Sequence, residues 1–138
     1  VDITNLDLDK LSSNVEPVEM ELLHPTTGQP LESDGKKIKF SLVGSDSPAY
    51  LKAERAVTNA RLQAAQRLGK RGKVTSEVIE DGALDILAAS TTGWTPFQFK
   101  GELFTFSNAN AKRLYKEAQW IREQVDAFVH DRGNFLKN

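Results

Sequence analysis

The chain has 138 residues, 39% of them hydrophobic and none of them cysteine, with a formal net charge of −1. That is enough apolar material for one modest core without disulfide or metal support. The missing thiols exclude cysteine nucleophiles, thiolate metal sites and a disulfide framework, and they point to a reducing compartment.

The near-zero net charge conceals a segregation along the chain. Residues 1–34 carry eight acids against Lys10, a net charge of −7, whereas residues 51–73 carry seven bases against Glu54, a net charge of +6. Segregated charge steers association, so the two segments read either as facing elements of one monomer or as complementary faces for a partner or a second copy. Apolar runs fall far short of the ~20 residues that span a bilayer, and the first residues are acidic, unlike a signal peptide. A soluble, cytoplasmic protein with no membrane association is therefore expected.

Residues 1–14 mix Asp, Asn and Ser with Ile3, Leu6, Leu8 and Leu11, the composition of a flexible arm that orders only on docking. Residues 15–44 read as a β-hairpin region. Val18, Met20 and Leu22 alternate with Glu19 and Glu21, turn formers fill His24 to Pro30, and Ile38, Phe40 and Leu42 alternate with Lys37, Lys39 and Ser41, the period of half-buried strands. A third short strand is placed around Leu31. Glu19 and Glu21 are expected to face Lys37 and Lys39 across the pair, each ion pair worth roughly 0.2–1 kcal/mol.

Residues 46–136 read as a helical region. Asp46-Ser47-Pro48 supplies a capping oxygen and a proline for a first helix to about Leu68, with Ala53, Val57, Ala60, Ala64 and Leu68 as a narrow small-residue stripe. Gly69 and Gly72 interrupt it. Thr75 or Ser76 caps a second helix whose predicted apolar face is Val78, Ile79, Ala83, Leu84, Ile86 and Leu87, and which ends by Thr91-Thr92-Gly93. The aromatics from Trp94 to Phe106, broken by Pro96 and Gly101, predict a compact turn or tiny hairpin. Ser107 opens a third helix, and Ala118 or Gln119 a fourth, with Ile121, Val125 and Phe128 inward and Gly133 as its stop. The expected fold class is mainly α with a small N-terminal antiparallel β-sheet (α+β), a single domain over residues 1–138.

Catalysis needs positioned acids, bases or nucleophiles. The two histidines, His24 and His130, stand in no metal-ligand spacing, so no catalytic residue, metal or cofactor is assigned and a non-enzymatic protein is expected. Arg61, Arg67, Lys70, Arg71 and Lys73, with the aromatics Trp94 and Phe97, are the candidate partner-binding residues. Those bases could contact phosphates, but the whole chain is not basic, the phosphate-loop spacing is absent, and the aromatics lack the display of a stacking sheet. A protein partner is the stronger reading.

The order of parts from Leu84 to Leu136 carries a resemblance. A short helix closes on Gly93-Trp94, an extended Phe104-Thr105-Phe106 follows, and Ser107-Asn108-Ala109-Asn110-Ala111 opens a helix. The chain then runs from Trp120-Ile121-Arg122-Glu123-Gln124-Val125-Asp126 to His130-Asp131-Arg132-Gly133-Asn134-Phe135-Leu136. This stretch, roughly the last two-fifths of the sequence, resembles the phage tail assembly chaperones of long-tailed phages and prophages. The resemblance implies a chaperone of virion morphogenesis in the host cytoplasm that binds the tape-measure protein, keeps it soluble and helps recruit major tail-tube subunits. It also implies a longer frameshifted product extending past Asn138. The alternatives are a structural tail-completion or connector component of the virion and, more weakly, a small nucleic-acid-binding regulator using residues 61–73.

Overall fold

The structure is a computed structural model that describes residues 16–68 and 75–135. The arm at 1–14 and the interrupting Gly69 and Gly72 lie outside the described residues. Strands β1 (Val18–Glu21), β2 (Glu32–Ser33), β3 (Lys36–Lys37) and β4 (Lys39–Leu42) come first, followed by helices α1 (Pro48–Leu68) and α2 (Ser76–Ala89). Next are β5 (Thr91–Trp94), β6 (Phe97–Phe99) and β7 (Glu102–Phe104), then α3 (Asn108–Glu117), α4 (Gln119–His130) and a 3-10 turn, Arg132–Asn134.

The main sheet has the order β1-β4-β5, antiparallel throughout. Alternation turns Met20, Phe40, Leu42 and Trp94 into the core and leaves Glu19, Glu21 and Thr92 outside, as the strand period requires. The expected ion pairs form, Lys37 to Glu21 at 3.4 Å and Lys39 to Glu19 at 3.5 Å. Since Lys39 stands opposite Glu21 in register, these pairs are diagonal.

The expectation of a mainly helical fold whose sheet is confined to the N-terminal region is overturned, although the tiny hairpin expected among the aromatics does form, as β6 paired with β7. Among the described residues, strands are spread along the chain in three small antiparallel sheets, β1-β4-β5, β2-β3 and β6-β7. The decisive difference is β5. Thr91-Thr92-Gly93-Trp94, read as a helix stop, crosses back to pair with β4, placing Trp94 opposite Phe40 and Gly93 opposite Ser41. Thr91 makes the change of direction possible: its Oγ1 donates to Leu87 O at 2.9 Å and accepts from the Tyr115 hydroxyl at 2.6 Å. Burial holds the Tyr115 hydroxyl far above the ordinary tyrosine range.

Capping follows the sequence closely. Ser47 Oγ accepts from Tyr50 N at 3.3 Å, Thr75 Oγ1 from Val78 N at 3.2 Å and Ser107 Oγ from Asn110 N at 3.0 Å, satisfying donors that no helical carbonyl can reach. Asp46 turns instead to Arg132, which donates from Nε at 2.6 Å and Nη2 at 3.1 Å. This tie fastens the end of α4 to the start of α1. Phe135, buried against Gly44 and edge-on to Phe128, completes the same junction.

Three helical faces differ from their sequence patterns. On α1, Tyr50 is the one buried side chain among those described, and Ala60 of the expected stripe is exposed. The close approach between α1 and α2 is made by the other helix's glycine: a Cβ at Gly82 would lie 2.6 Å from Val57 Cγ1. On α2, Leu84 and Leu87 are buried but Val78, Ile79 and Ala83 are exposed, because α1 and α3 cover only the Gly82 and Leu84 sides. On α4, Ile121, Val125 and Val129 form the buried stripe and Phe128 is half-buried, so spacing alone placed the inner edge one residue early.

Lys112 joins α3 to α2 through Asp85 at 2.8 Å and Asp81 at 3.0 Å. The hydrogen bonds to Asp85 and then Asp81 hold its ammonium above the ordinary lysine value of 10.5. A raised folded-state pKa gives stability that is complete below the unfolded value and is lost as pH rises through the folded one. The melting-temperature gap between the native chain and Lys112→Met is therefore expected to be constant at neutral pH and to close above about 10.5.

Candidate functional site

Two concave surfaces stand out, and both are built where apolar side chains lack a covering element. The first is a groove between α2 and α4. Ile79, Ala83 and Leu87 recur every four residues along α2 and so fall on one line, forming the groove's apolar floor. Gln119, Arg122, Glu123 and Asp126 of α4 form its opposite wall, enclosing about 570 Å³. Arg122 spans the groove to Glu80 at 2.9 Å, and Asp126 Oδ1 lies 3.2 Å from His130 Nδ1. Ile79, at 50% exposure, is an apolar side chain left at the open end of this floor. The arrangement is an apolar strip with charged banks, the shape that accepts one face of an amphipathic helix.

The second surface is an aromatic cleft of about 390 Å³. Its floor comes from a closed ring of three backbone hydrogen bonds. Leu22 N donates to Ile38 O, Ile38 N to Leu31 O and Leu31 N to Leu22 O, each at 2.9 Å. This ring gathers three separate stretches of chain and projects Leu22, Leu31 and Ile38 into the cleft. Phe97 and Phe99 come from β6, and Trp120 and Ile121 from the start of α4. Among the described residues its polar members are Glu32, Ser33, Asp34 and Gln98, with no basic side chain among them.

The sequence-predicted partner residues separate into different environments. Phe97 lines the aromatic cleft but is itself only 6% exposed. Trp94 is buried, donates from Nε1 to Phe104 O at 3.1 Å, and lies parallel to the Phe104 ring at 5.8 Å. It acts as a core residue. Arg61 is directed along α2, with Nη2 donating to Ile79 O at 3.3 Å and Nε buried without a hydrogen-bond partner. Arg67 is exposed in the last turn of α1, while Lys70, Arg71 and Lys73 lie outside the described residues. Among the described candidates the structure brings Trp94 and Phe97 together, their ring centroids 6.1 Å apart, and leaves Arg61 and Arg67 apart from them on α1.

Ile79 and Ala83, placed by their spacing on a covered face, instead form surface, and Trp120, half-buried against the core, also lines the cleft. Their signal lay in geometry: α4 follows α3 through the single residue Ala118, and this tight elbow leaves Trp120 at the cleft rim instead of beneath another helix.

Both histidines are accounted for structurally. His24 Nδ1 accepts from Thr26 N at 3.1 Å and Thr27 N at 3.2 Å within its turn. His130 Nε2 is 2.9 Å from the Tyr50 hydroxyl and Nδ1 is 2.9 Å from Asp126 O. Desolvation, then Glu54 and Asp126, raises the Tyr50 hydroxyl above its ordinary range, which keeps it neutral as the bridge between α1 and α4. Among the described residues no helix is long and apolar enough to cross a membrane. Comparison of the chain with models of known families, with curated proteins and with solved structures finds no match.

Proposed function

We propose that this chain is a non-enzymatic tail assembly chaperone of a long-tailed phage or prophage, acting in the host cytoplasm. It binds amphipathic helical segments of the tape-measure protein, keeps them soluble and helps recruit tail-tube subunits. The observation that carries this reading is the groove between α2 and α4, with Ile79, Ala83 and Leu87 beneath charged banks. Most of the residues forming it fall within Leu84 to Leu136, the stretch that resembles the family. An extended helical partner can be held by many such weak contacts, because linked sites raise the effective concentration of each.

Ala83 is exposed, so Ala83→Glu places a charge on the groove floor without disturbing the core. Coexpression of a cognate tape-measure fragment with the native chain is expected to keep that fragment soluble. The Ala83→Glu variant, with an unchanged melting temperature, is expected to lower soluble yield about tenfold, as for loss of a central contact. Equal precipitation with and without the native chain, together with stoichiometric copies of this protein in finished tails, would replace the chaperone reading with that of a structural virion component.

A further inference from the structure

The aromatic cleft offers something the helical groove does not: two strand edges facing one space. Four consecutive residues, Leu31 to Asp34, line it, as do the consecutive Phe97, Gln98 and Phe99, while no residue of β3 or β7 does. Side chains alternate across the faces of a strand, so a surface touched by every residue in turn meets the strand from its edge. Among the described residues, each hairpin is a two-stranded sheet with no third member. Each also closes through a two-residue turn, Asp34-Gly35 or Lys100-Gly101, with positive φ throughout, the conformation tight hairpins require.

In such hairpins the pair beside the turn exchanges hydrogen bonds, and the next pair points its N–H and C=O away from the partner strand. That next pair is Glu32↔Lys37 in one hairpin and Gln98↔Leu103 in the other. Glu32 and Gln98 thus present backbone donors and acceptors on the edges that line the cleft. An apolar floor, free edge groups, and Glu32 and Asp34 without a lining base together specify the occupant.

We propose that this cleft is a second binding site, which takes an extended segment of a partner protein as an added strand. The segment presents apolar side chains alternating with lysine or arginine. Its backbone pairs with Glu32 or Gln98, an apolar side chain enters against Trp120 and Leu31, and a flanking base meets Glu32 and Asp34. This is recognition by strand addition, in which main-chain bonds give affinity and alternate side-chain pockets give selectivity. It is independent of the helix groove.

The probe is a capped heptapeptide of alternating lysine and leucine, added to the full chain and followed by amide hydrogen exchange. Saturable binding with new protection at the Glu32 or Gln98 amide is expected. Glu32→Lys combined with Asp34→Asn, exposed changes of which the second retains a residue that tolerates positive φ, is expected to weaken binding about tenfold, as is Trp120→Ala. Ala83→Glu is expected to leave it unchanged. No binding, binding without protection at either amide, or equal affinity for the Glu32→Lys/Asp34→Asn protein would overturn the proposal while leaving the tape-measure assay unaffected.

Discussion

Phe40→Ala is expected to remove about 3–5 kcal/mol of folding free energy, the range for truncating a fully buried aromatic side chain. Phe40 is 0% exposed in the middle strand of the main sheet, 5.3 Å from the Trp94 ring and 6.2 Å from that of Phe97. It therefore joins the N-terminal strands to the later ones, and the cavity left behind would be walled by stiff rings that cannot collapse into it. Chemical denaturation measures the change. Since domains of this size are stable by only ~5–15 kcal/mol, the variant is expected to be partly unfolded at 37 °C. A loss below about 1 kcal/mol would show that the sheet is not assembled around this ring. Phe128→Ala, at a half-buried site beside Phe135, is expected to cost less.

Gly82→Val is expected to cost about 1–3 kcal/mol by overpacking, although glycine is the poorer helix former. A Cβ at this position would sit 2.6 Å from Val57 Cγ1 and 2.7 Å from Arg61 Nη2. The arginine tip can swing away, but the branched valine has little rotamer freedom, so α1 must move off α2. Because α1 buries just Tyr50 among its described side chains, little else opposes that movement. The measurable signs are a lower denaturation midpoint and faster proteolysis within α1. Unchanged stability and proteolysis would mean that the two helices already sit farther apart.

Signals that act over a few residues are legible in this sequence, and pairings between distant segments are not. Ser47, Thr75 and Ser107 announce helix starts by chemistry that acts over three residues, and the alternation from Val18 to Leu22 needs only its own period. The pairing of β4 with β5 spans some fifty residues, and nothing near Thr91 declares it except two threonines and a tryptophan that suit a strand. Burial is hidden from the sequence for a related reason. Val78, Ile79 and Ala83 carry the pattern of a covered face, but a periodic pattern cannot say whether a neighbouring element exists to cover it. The same ambiguity hid the groove, since residues that bind a partner and residues that fill a core obey one spacing rule. The aromatic cleft was half legible: Phe97 was singled out, but the backbone ring that places Leu22, Leu31 and Ile38 beneath it has no sequence signature.

The side chain of Gln124 imitates a backbone. Its Oε1 accepts from Leu23 N at 3.0 Å and its Nε2 donates to Leu23 O at 2.7 Å, the two bonds a neighbouring strand would have made. Leu23 follows β1, an edge strand of the main sheet among the described residues, and an open edge strand invites pairing with other chains. A single amide on α4 seals that position, but it lies 101 residues further along the chain. During synthesis the seal arrives long after the strand it covers: until α4 emerges, a newly made hairpin carries an unguarded edge among neighbouring nascent chains. A ribosome stalled or a chain truncated before Gln124 would thus release a product whose first strands are complete and whose protection against sticking to its own kind is missing.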